Sequence, residues 1–293
     1  IKAYEKDVKE NHTIIDVWAL VFTMPVADEI SEEDLVDCDT AIYVVARQAG
    51  EGRDRRLEAG FKLSPEEVRS LELLRKHHEK VILVINSGSS VDISDIDDCR
   101  PDAVIFFCQE GLEGGRALAA LLTGEENFSG KLSDTWVYRY EDIPFGNEFS
   151  YMNGNTAREY YKEGIYVGYR YYDTFSVPVR YHFGYGLSYT DFEIKPLSVS
   201  LQGKDVLAKV SVRNTGRTAG KEAVQLYVSP PAGKLDKEYQ RLVAFNKTKQ
   251  LEPGEMEVLE LAFNMEDCDS FDQQENCFIL ENGNYIIRIG NSS

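Results

Sequence analysis

Cysteine, histidine and long apolar runs are scarce in this sequence of 293 residues. The five cysteines include no Cys-x-x-Cys pair, and the four histidines are not spaced as metal ligands. This pattern argues against a zinc site and a disulfide framework, although Cys268 and Cys277 could pair. No apolar run reaches the roughly 20 residues of a membrane span, and no basic amphipathic stretch would bind an anionic membrane surface.

Positive charge is also in short supply, because 50 acidic side chains stand against 32 lysines and arginines. The net charge of -18 would repel a polyanion, so we expect no nucleic-acid partner. The sequence begins with Ile and carries no secretory signal, which is typical of an internal point in a longer protein. Together with reduced thiols, this favours a cytoplasmic location, or secretion if a signal has been removed.

Residues 40–136 alternate short apolar runs with helical stretches, and this order predicts an α/β domain. Three unbroken runs are expected to be strands buried on both faces of a parallel sheet. They are "AIYVVA" (41–46), "VILVIN" (81–86) and "AVIFFC" (103–108). Ser64, Pro65 and Glu67 form a capping box that predicts a helix start. A second helix, "ALAALLT", should end at Gly124.

From residue 193 the sequence pattern changes to short predicted strands separated by turn residues. Six stretches are expected to be strands of a small antiparallel sandwich. They are "EIKPLSVSLQ", "VLAKVSVRNTG", "EAVQLYVSPP", "MEVLELAFN", "CFILENG" and "NYIIRIG". The segment 137–190, rich in Tyr, Gly and Phe, is predicted to be irregular, packed structure that joins the two domains, 1–192 and 193–293.

Glu51 is the candidate functional residue, in the stretch "VVARQAGEGRDRR" (44–56). It follows the first predicted strand, and ligands of open α/β sheets bind beyond the carboxyl ends of strands. The glycines on either side let the backbone bend and let a ligand approach. A solvated glutamate in an acid-rich chain is the alternative. Asp54, Arg55 and Arg56 are expected to pin the loop through a local ion pair.

Four other motifs are expected to have structural rather than catalytic roles. "GLEGGRALAALLTG" matches neither phosphate-binding glycine pattern, so its glycines are expected to serve helix–sheet packing. "LSDTW" (132–136) is expected to be a turn into a strand, and the tyrosines of 166–174 are expected to be packed core. His77 and His78 close a surface helix, where a cation suits the helix dipole.

Taken together, six stretches resemble glycoside hydrolase family 3, the β-glucosidases and β-xylosidases, in the family's order and over nearly the whole chain. They are "GEGRDR" (50–55), "VILVINSGSSVDI" (81–93), "EGLEGGRALAALLTGEENFSGKLSDTW" (110–136), "EGIYVGYRYYDT" (163–174), "YHFGYGLSYTDF" (181–192) and "VRNTGRTAGKEAVQLYV" (212–228). The resemblance implies an α/β sandwich domain, mostly parallel with helices on both faces and with its first strand missing. A fibronectin type III-like, immunoglobulin-like β-sandwich should follow it.

The resemblance also implies a retaining β-glucosidase that acts on terminal non-reducing β-D-glucosides, as in cellulose degradation, without metal or cofactor. Its general acid/base would be Glu51. The nucleophile would be an aspartate on a (β/α)8 barrel of roughly 250 residues, which this sequence does not contain. The implied partners are that barrel and a β-glucoside or oligosaccharide. The chain alone is expected to be inactive, and a homo-oligomer is left open.

Two other classes of function compete with this prediction. A non-catalytic carbohydrate-binding or assembly module would keep the fold, but it would have no reason to retain an acid between two glycines. A flavodoxin-like nucleotide binder is disfavoured because the phosphate-binding loop is absent. The sequence leaves open glucosidase against xylosidase specificity, the leaving group, and whether the parent protein is permuted or cleaved.

Overall fold

The computed structural model describes residues 29–47, 55–149, 152, 154, 155 and 157–293. It divides into two compact units. The first unit falls within residues 1–111, 138–140 and 150–156, and the second consists of residues 112–137, 141–149 and 157–293.

The first unit is built on a parallel sheet of three strands in the order β1-β2-β3. The strands are β1 Thr40–Ala46, β2 Lys80–Asn86 and β3 Ala103–Phe106. All three were predicted, and β3 ends two residues earlier than its apolar run. The expectation that β1 is buried on both faces was wrong, because its burial alternates and Ile42 and Val44 are half exposed. Ala46 lies opposite Asn86, and Ile85 lies opposite Phe106, so the carboxyl ends of the three strands share one edge.

Helix α1, Pro65–His77, connects β1 to β2 and packs against both. Its start follows the predicted capping box, because the Ser64 hydroxyl accepts from the Glu67 amide and the Glu67 carboxylate accepts from the Ser64 amide. Leu71 and Leu74 lie on its buried face. The core below this helix includes the fully buried side chains of Leu83 and Ile85 on β2.

The second unit contains two α-helices and eight strands among its described residues. The helices are α2 Gly114–Thr123 and α3 Tyr169–Phe175. The strands are β4 Phe192–Gln202, β5 Asp205–Asn214, β6 Ala223–Ser229, β7 Arg241–Lys247, β8 Met256–Asn264, β9 Ser270–Asp272, β10 Cys277–Ile279 and β11 Ile286–Gly290. Helix α2 ends at Gly124 as predicted, with the glycine at φ +78°.

Two antiparallel sheets form a sandwich in this unit, in the orders β4-β5-β8 and β11-β6-β7. Their shared core is apolar and comes from alternate positions of the strands. It includes Val210 and Val212 on β5, Leu226 on β6 and Leu261 on β8. The parallel sheet with its helix and the antiparallel sandwich confirm the predicted fold class.

Three elements differ from the sequence prediction. Strand β7 was missed because its apolar run, 242–245, is only four residues long and does not alternate, and its side chains are half buried or exposed. Strand β9 has three residues, too few for a periodic signal. Segment 137–190 was predicted to be irregular, but it contains helix α3. Tyr172 of that helix is buried, and the Tyr169 ring lies 4.8 Å from that of Phe183, so these tyrosines are packed as predicted.

The segments that precede β4 are fastened to the sandwich by polar contacts within the second unit. Lys131 forms a buried ion pair with Glu222 at 2.8 Å and donates to the Gly186 carbonyl at 2.9 Å. A Cβ on Gly186 would lie 2.2 Å from the Gly130 carbonyl oxygen, so only glycine fits. Gly186 in the "FGYGLSYT" stretch is therefore required by the close approach of two backbones.

Candidate active site at the carboxyl edge of the parallel sheet

The segment that contains the predicted functional residue, Glu51, follows β1 in the chain, after the carboxyl end of that strand. Residue 47 follows β1, residues 87–92 follow β2 and residues 107–111 follow β3. Glu51, with Gly50, Gly52 and Asp54, lies outside the described residues. The geometry of the site therefore comes from the residues that flank segment 48–54 and from the two neighbouring connections.

Arg47 directly follows β1 and is buried, with 7% of its surface exposed. Its guanidinium donates to both carboxylate oxygens of Glu67, from Nη1 at 2.7 Å and from Nη2 at 2.5 Å. Nη2 also donates to the Lys62 carbonyl at 3.2 Å. Such a two-pronged contact fixes the direction of the side chain as well as its distance.

Glu67 is 4% exposed and has two roles. Its Oε2 accepts from the Ser64 amide at 2.8 Å, which closes the capping box predicted from the sequence. The same carboxylate holds Arg47, 20 residues earlier in the chain. Sequence reasoning missed this pair. The available signal was a lone arginine directly after an apolar strand, where a buried charge requires a partner.

Arg55 follows segment 48–54 and is bound to the connection after β2. Its Nη2 donates to the Ser89 hydroxyl at 2.7 Å and to the Ser90 carbonyl at 2.6 Å. The guanidinium also lies over the Phe61 ring, 5.5 Å from the ring centre. Arg55 is thus tied to the connection after β2 by hydrogen bonds, whereas the predicted local ion pair involves Asp54, which lies outside the described residues, and stays a prediction. Arg56 is exposed.

Gln109 brings the connection after β3 to the same place. Its Nε2 donates to the Arg47 carbonyl at 3.4 Å, and its backbone adopts the left-handed region at φ +41°. Gly88 faces this side chain, since a Cβ there would lie 2.8 Å from Gln109 Oε1. The connections that follow the three strands thus contact one another at the sheet edge.

Asp92 is the second buried carboxylate in the described part of the first unit, at 2% exposure. Its Oδ1 accepts from the amide and hydroxyl of Ser94 at 2.9 Å and 2.7 Å. Its Oδ2 accepts from the Tyr140 amide at 3.0 Å. Both oxygens are engaged with backbone and side-chain donors, so Asp92 organises the connection rather than facing a ligand.

Asp102 lies at the opposite edge of the sheet, and the shift in its pKa is the reverse of the one that a general acid needs. The Val81 amide and the Arg75 guanidinium both donate to Asp102, and they lower the pKa of its carboxyl below the ordinary value. Asp102 therefore stays ionised at neutral pH. A general acid needs the reverse, a pKa raised by burial or by a neighbouring negative charge.

The described residues contain no cluster of side chains that could bind a metal ion. No group of three or more His, Cys, Asp or Glu side chains converges there. Within the same residues, no helix has the length and apolar character to cross a membrane. The five cysteines are free thiols, including Cys268 and Cys277, and burial raises the pKa of the Cys268 thiol to about 11.

The fold and this edge define a modular protein with an α/β unit and an antiparallel β-sandwich. Residues 11–169 match the model of the glycosyl hydrolase family 3 C-terminal domain, and residues 222–293 match a fibronectin type III-like domain. The first match covers more than half of the chain. The chain therefore belongs to glycosyl hydrolase family 3.

Several relatives carry the name β-glucosidase. The chain is 38% identical to a beta-glucosidase of Ruminococcus albus over 91% of its own length and 28% of that protein. It is 33% identical to beta-glucosidase A of Butyrivibrio fibrisolvens, with 100% and 40% covered. Beta-glucosidase 3B of Thermotoga neapolitana, solved in complex with glycerol, is similar at a TM-score of 0.86 and 36% identity, with 100% and 41% covered. The chain thus spans 28–41% of these relatives.

Proposed function

We propose that this chain supplies the general acid/base, Glu51, to a retaining β-glucosidase that hydrolyses terminal non-reducing β-D-glucosides. The observation that supports this most directly is the fixing of both flanking residues, Arg47 and Arg55, at the carboxyl edge of the parallel sheet. Ligands of open α/β sheets bind at that edge. The β-glucosidase names of the relatives support the substrate class.

The reaction needs two carboxyl groups roughly 5–5.5 Å apart. The nucleophile, an aspartate on a (β/α)8 barrel outside this chain, attacks the anomeric carbon, while Glu51 protonates the departing oxygen. The glycosyl ester that results is opened by water, whose proton passes to Glu51. In the described part of the first unit, the buried carboxylates Glu67 and Asp92 are engaged by other donors, which is consistent with a nucleophile supplied from elsewhere.

The barrel is therefore the expected partner, and no metal or cofactor takes part in this mechanism. We expect the 293-residue chain by itself to be inactive toward an aryl β-glucoside. Addition of the barrel should create the activity. Cleavage by the isolated chain that disappears in Glu51→Ala would contradict this division of the site.

The decisive experiment compares Glu51→Gln with the unaltered residue in an enzyme that includes the barrel. Loss of general acid catalysis should lower kcat/KM for a poor leaving group such as cellobiose by about 10²- to 10⁴-fold. A 2,4-dinitrophenyl glucoside needs no protonation and should be spared. Azide, which attacks without deprotonation, should restore turnover in Glu51→Ala and yield the β-glucosyl azide.

Glu58→Gln is the matched control, because Glu58 is an exposed acid just beyond the same segment. It should behave as the unaltered enzyme on both substrates. An equal loss on both substrates in Glu51→Gln would assign the acid to another residue. Carbohydrate binding without any turnover in the complete protein would favour the non-catalytic module instead.

A further inference from the structure

We propose that Arg47, Glu67 and Arg55 are positioning residues that hold the acid/base segment 48–54 from both sides. This inference rests on the function proposed for Glu51. The first anchor is the buried Arg47–Glu67 pair, and the second anchor is Arg55 with Ser89 and Ser90. None of these side chains is assigned a contact with the sugar.

The first anchor fixes residue 47 by its side chain and by its backbone. The guanidinium is held by Glu67 and by the Lys62 carbonyl. The Arg47 amide donates to the Asn86 carbonyl at 2.8 Å, and its carbonyl accepts from Gln109. The chain therefore leaves β1 at a point that is restrained by α1, β2 and the connection after β3.

The second anchor ties residue 55 to a different element. Nη2 of Arg55 contacts the connection after β2 at two atoms, and Nη1 lies 3.4 Å from the Ser87 hydroxyl. Ser87 is itself buried, and its hydroxyl donates to the Ser89 carbonyl at 2.7 Å. The partners of Arg55 are thus also hydrogen-bonded to one another.

Stability alone does not explain a buried ion pair at this position. Two apolar side chains of similar size would fill the same space with no desolvation penalty. A bidentate arginine–carboxylate contact instead sets distance and angle together. A general acid requires such accuracy, because a displacement of about 1 Å is enough to lower a rate by about 100-fold.

The test uses Arg47→Lys, Glu67→Gln and Arg55→Lys in an enzyme that includes the barrel. Each variant preserves size or charge but removes the two-pronged geometry. We expect kcat/KM for cellobiose to fall about 10- to 100-fold, with less than about a 3-fold change for the 2,4-dinitrophenyl glucoside. A merely structural role would lower both values by the same factor.

Two further variants keep the test interpretable. Leu71→Val, on the buried face of the same helix as Glu67, alters packing without touching either anchor, and its two substrates should change equally. Arg47→Met with Glu67→Gln leaves no buried charge and keeps an acceptor for the Ser64 amide. This double variant carries the test if a single variant fails to fold, and it should show the same selective loss on cellobiose.

Glu51→Gln, measured in parallel, separates the two proposals. If Glu51→Gln discriminates between the substrates and the anchor variants do not, the positioning role is overturned and the acid/base assignment stands. If Glu51→Gln itself fails to discriminate, the acid/base assignment falls and the positioning role falls with it. Selective loss in both sets supports both.

Discussion

The two units of this chain bury polar side chains for different purposes. In the second unit, the sandwich core is a continuous apolar cluster, and a buried pair such as Lys131–Glu222 fastens irregular segments to it. In the first unit, the buried side chains of Arg47, Glu67 and Asp92 form hydrogen bonds. These bonds restrain the connections that follow the carboxyl ends of β1 and β2. The sandwich is thus held by burial of apolar surface, while the sheet edge is held by directed hydrogen bonds.

This difference bears on the site proposed at the sheet edge. Apolar cores tolerate substitutions that keep their volume and pattern, whereas a bidentate, charge-assisted hydrogen bond depends on a specific geometry. An active site needs the second kind of support. Harmless removal of charge at the edge, or a sandwich that depended on its polar contacts more than on its core, would contradict this difference between the units.

The largest expected effect on stability is that of Glu67→Ala, which leaves the Arg47 guanidinium buried without its partner. We expect a loss of about 3–5 kcal/mol in the free energy of unfolding of the first unit, measured by urea denaturation. Glu66→Ala is the matched control, because Glu66 is exposed and meets Arg69 at the surface. A near-equal effect of the two substitutions would refute the importance of the buried pair.

Leu226→Ala tests the sandwich core in the same way. Leu226 is fully buried on β6, so the cavity should cost about 2–5 kcal/mol. Val199→Ala, on β4, removes a side chain that is 50% exposed and should cost at most about 1 kcal/mol. Similar losses for the two would mean that the sandwich is not held by its core.

Gly186→Ala should have an intermediate effect. The new methyl group would meet the Gly130 carbonyl oxygen, and the backbones would have to separate at a cost of about 1–3 kcal/mol. Gly130→Ala is the control, since nothing lies within 4 Å of a Cβ at that position. Thermal unfolding of the pair would settle whether the close approach requires glycine, and equal melting temperatures would argue against it.

The smallest effects concern pH, and the two units should differ in sign. Burial raises the pKa of Asp173 in the second unit, against opposing effects of Gln240, His182 and Ser293. Its charged form therefore weakens the fold as pH rises from about 4, the ordinary aspartate pKa, through the raised value. Relative to the unaltered chain, Asp173→Asn should gain stability over that range.

Asp102 in the first unit should behave in the opposite way. Hydrogen bonds from Val81 and Arg75 lower its pKa, so its charged form stabilises the fold above pH 4 and this contribution disappears as pH falls through the lowered value. Asp102→Asn should therefore lose stability at neutral pH and match the unaltered chain in acid. Urea denaturation from pH 3 to pH 7 would measure both variants, and parallel curves would contradict the assigned causes.

Local signals in the sequence determined much of the fold. Unbroken apolar runs located β1, β2 and β3, and the capping residues around Ser64 located the start of α1, because these signals depend on neighbours in the chain. Alternation likewise located most strands of the sandwich. The candidate Glu51 also came from local sequence, through its glycines and its position after a predicted strand.

Only the tertiary structure decided which distant residues meet. Arg47 and Glu67 are 20 residues apart, and Gly130 and Gly186 are 56 apart, so no spacing rule connects them. Strand β7 is likewise defined by its pairing with β6 rather than by its own pattern. Periodicity and caps are properties of one segment, whereas an ion pair, a close backbone approach or an edge strand depends on where another segment lies.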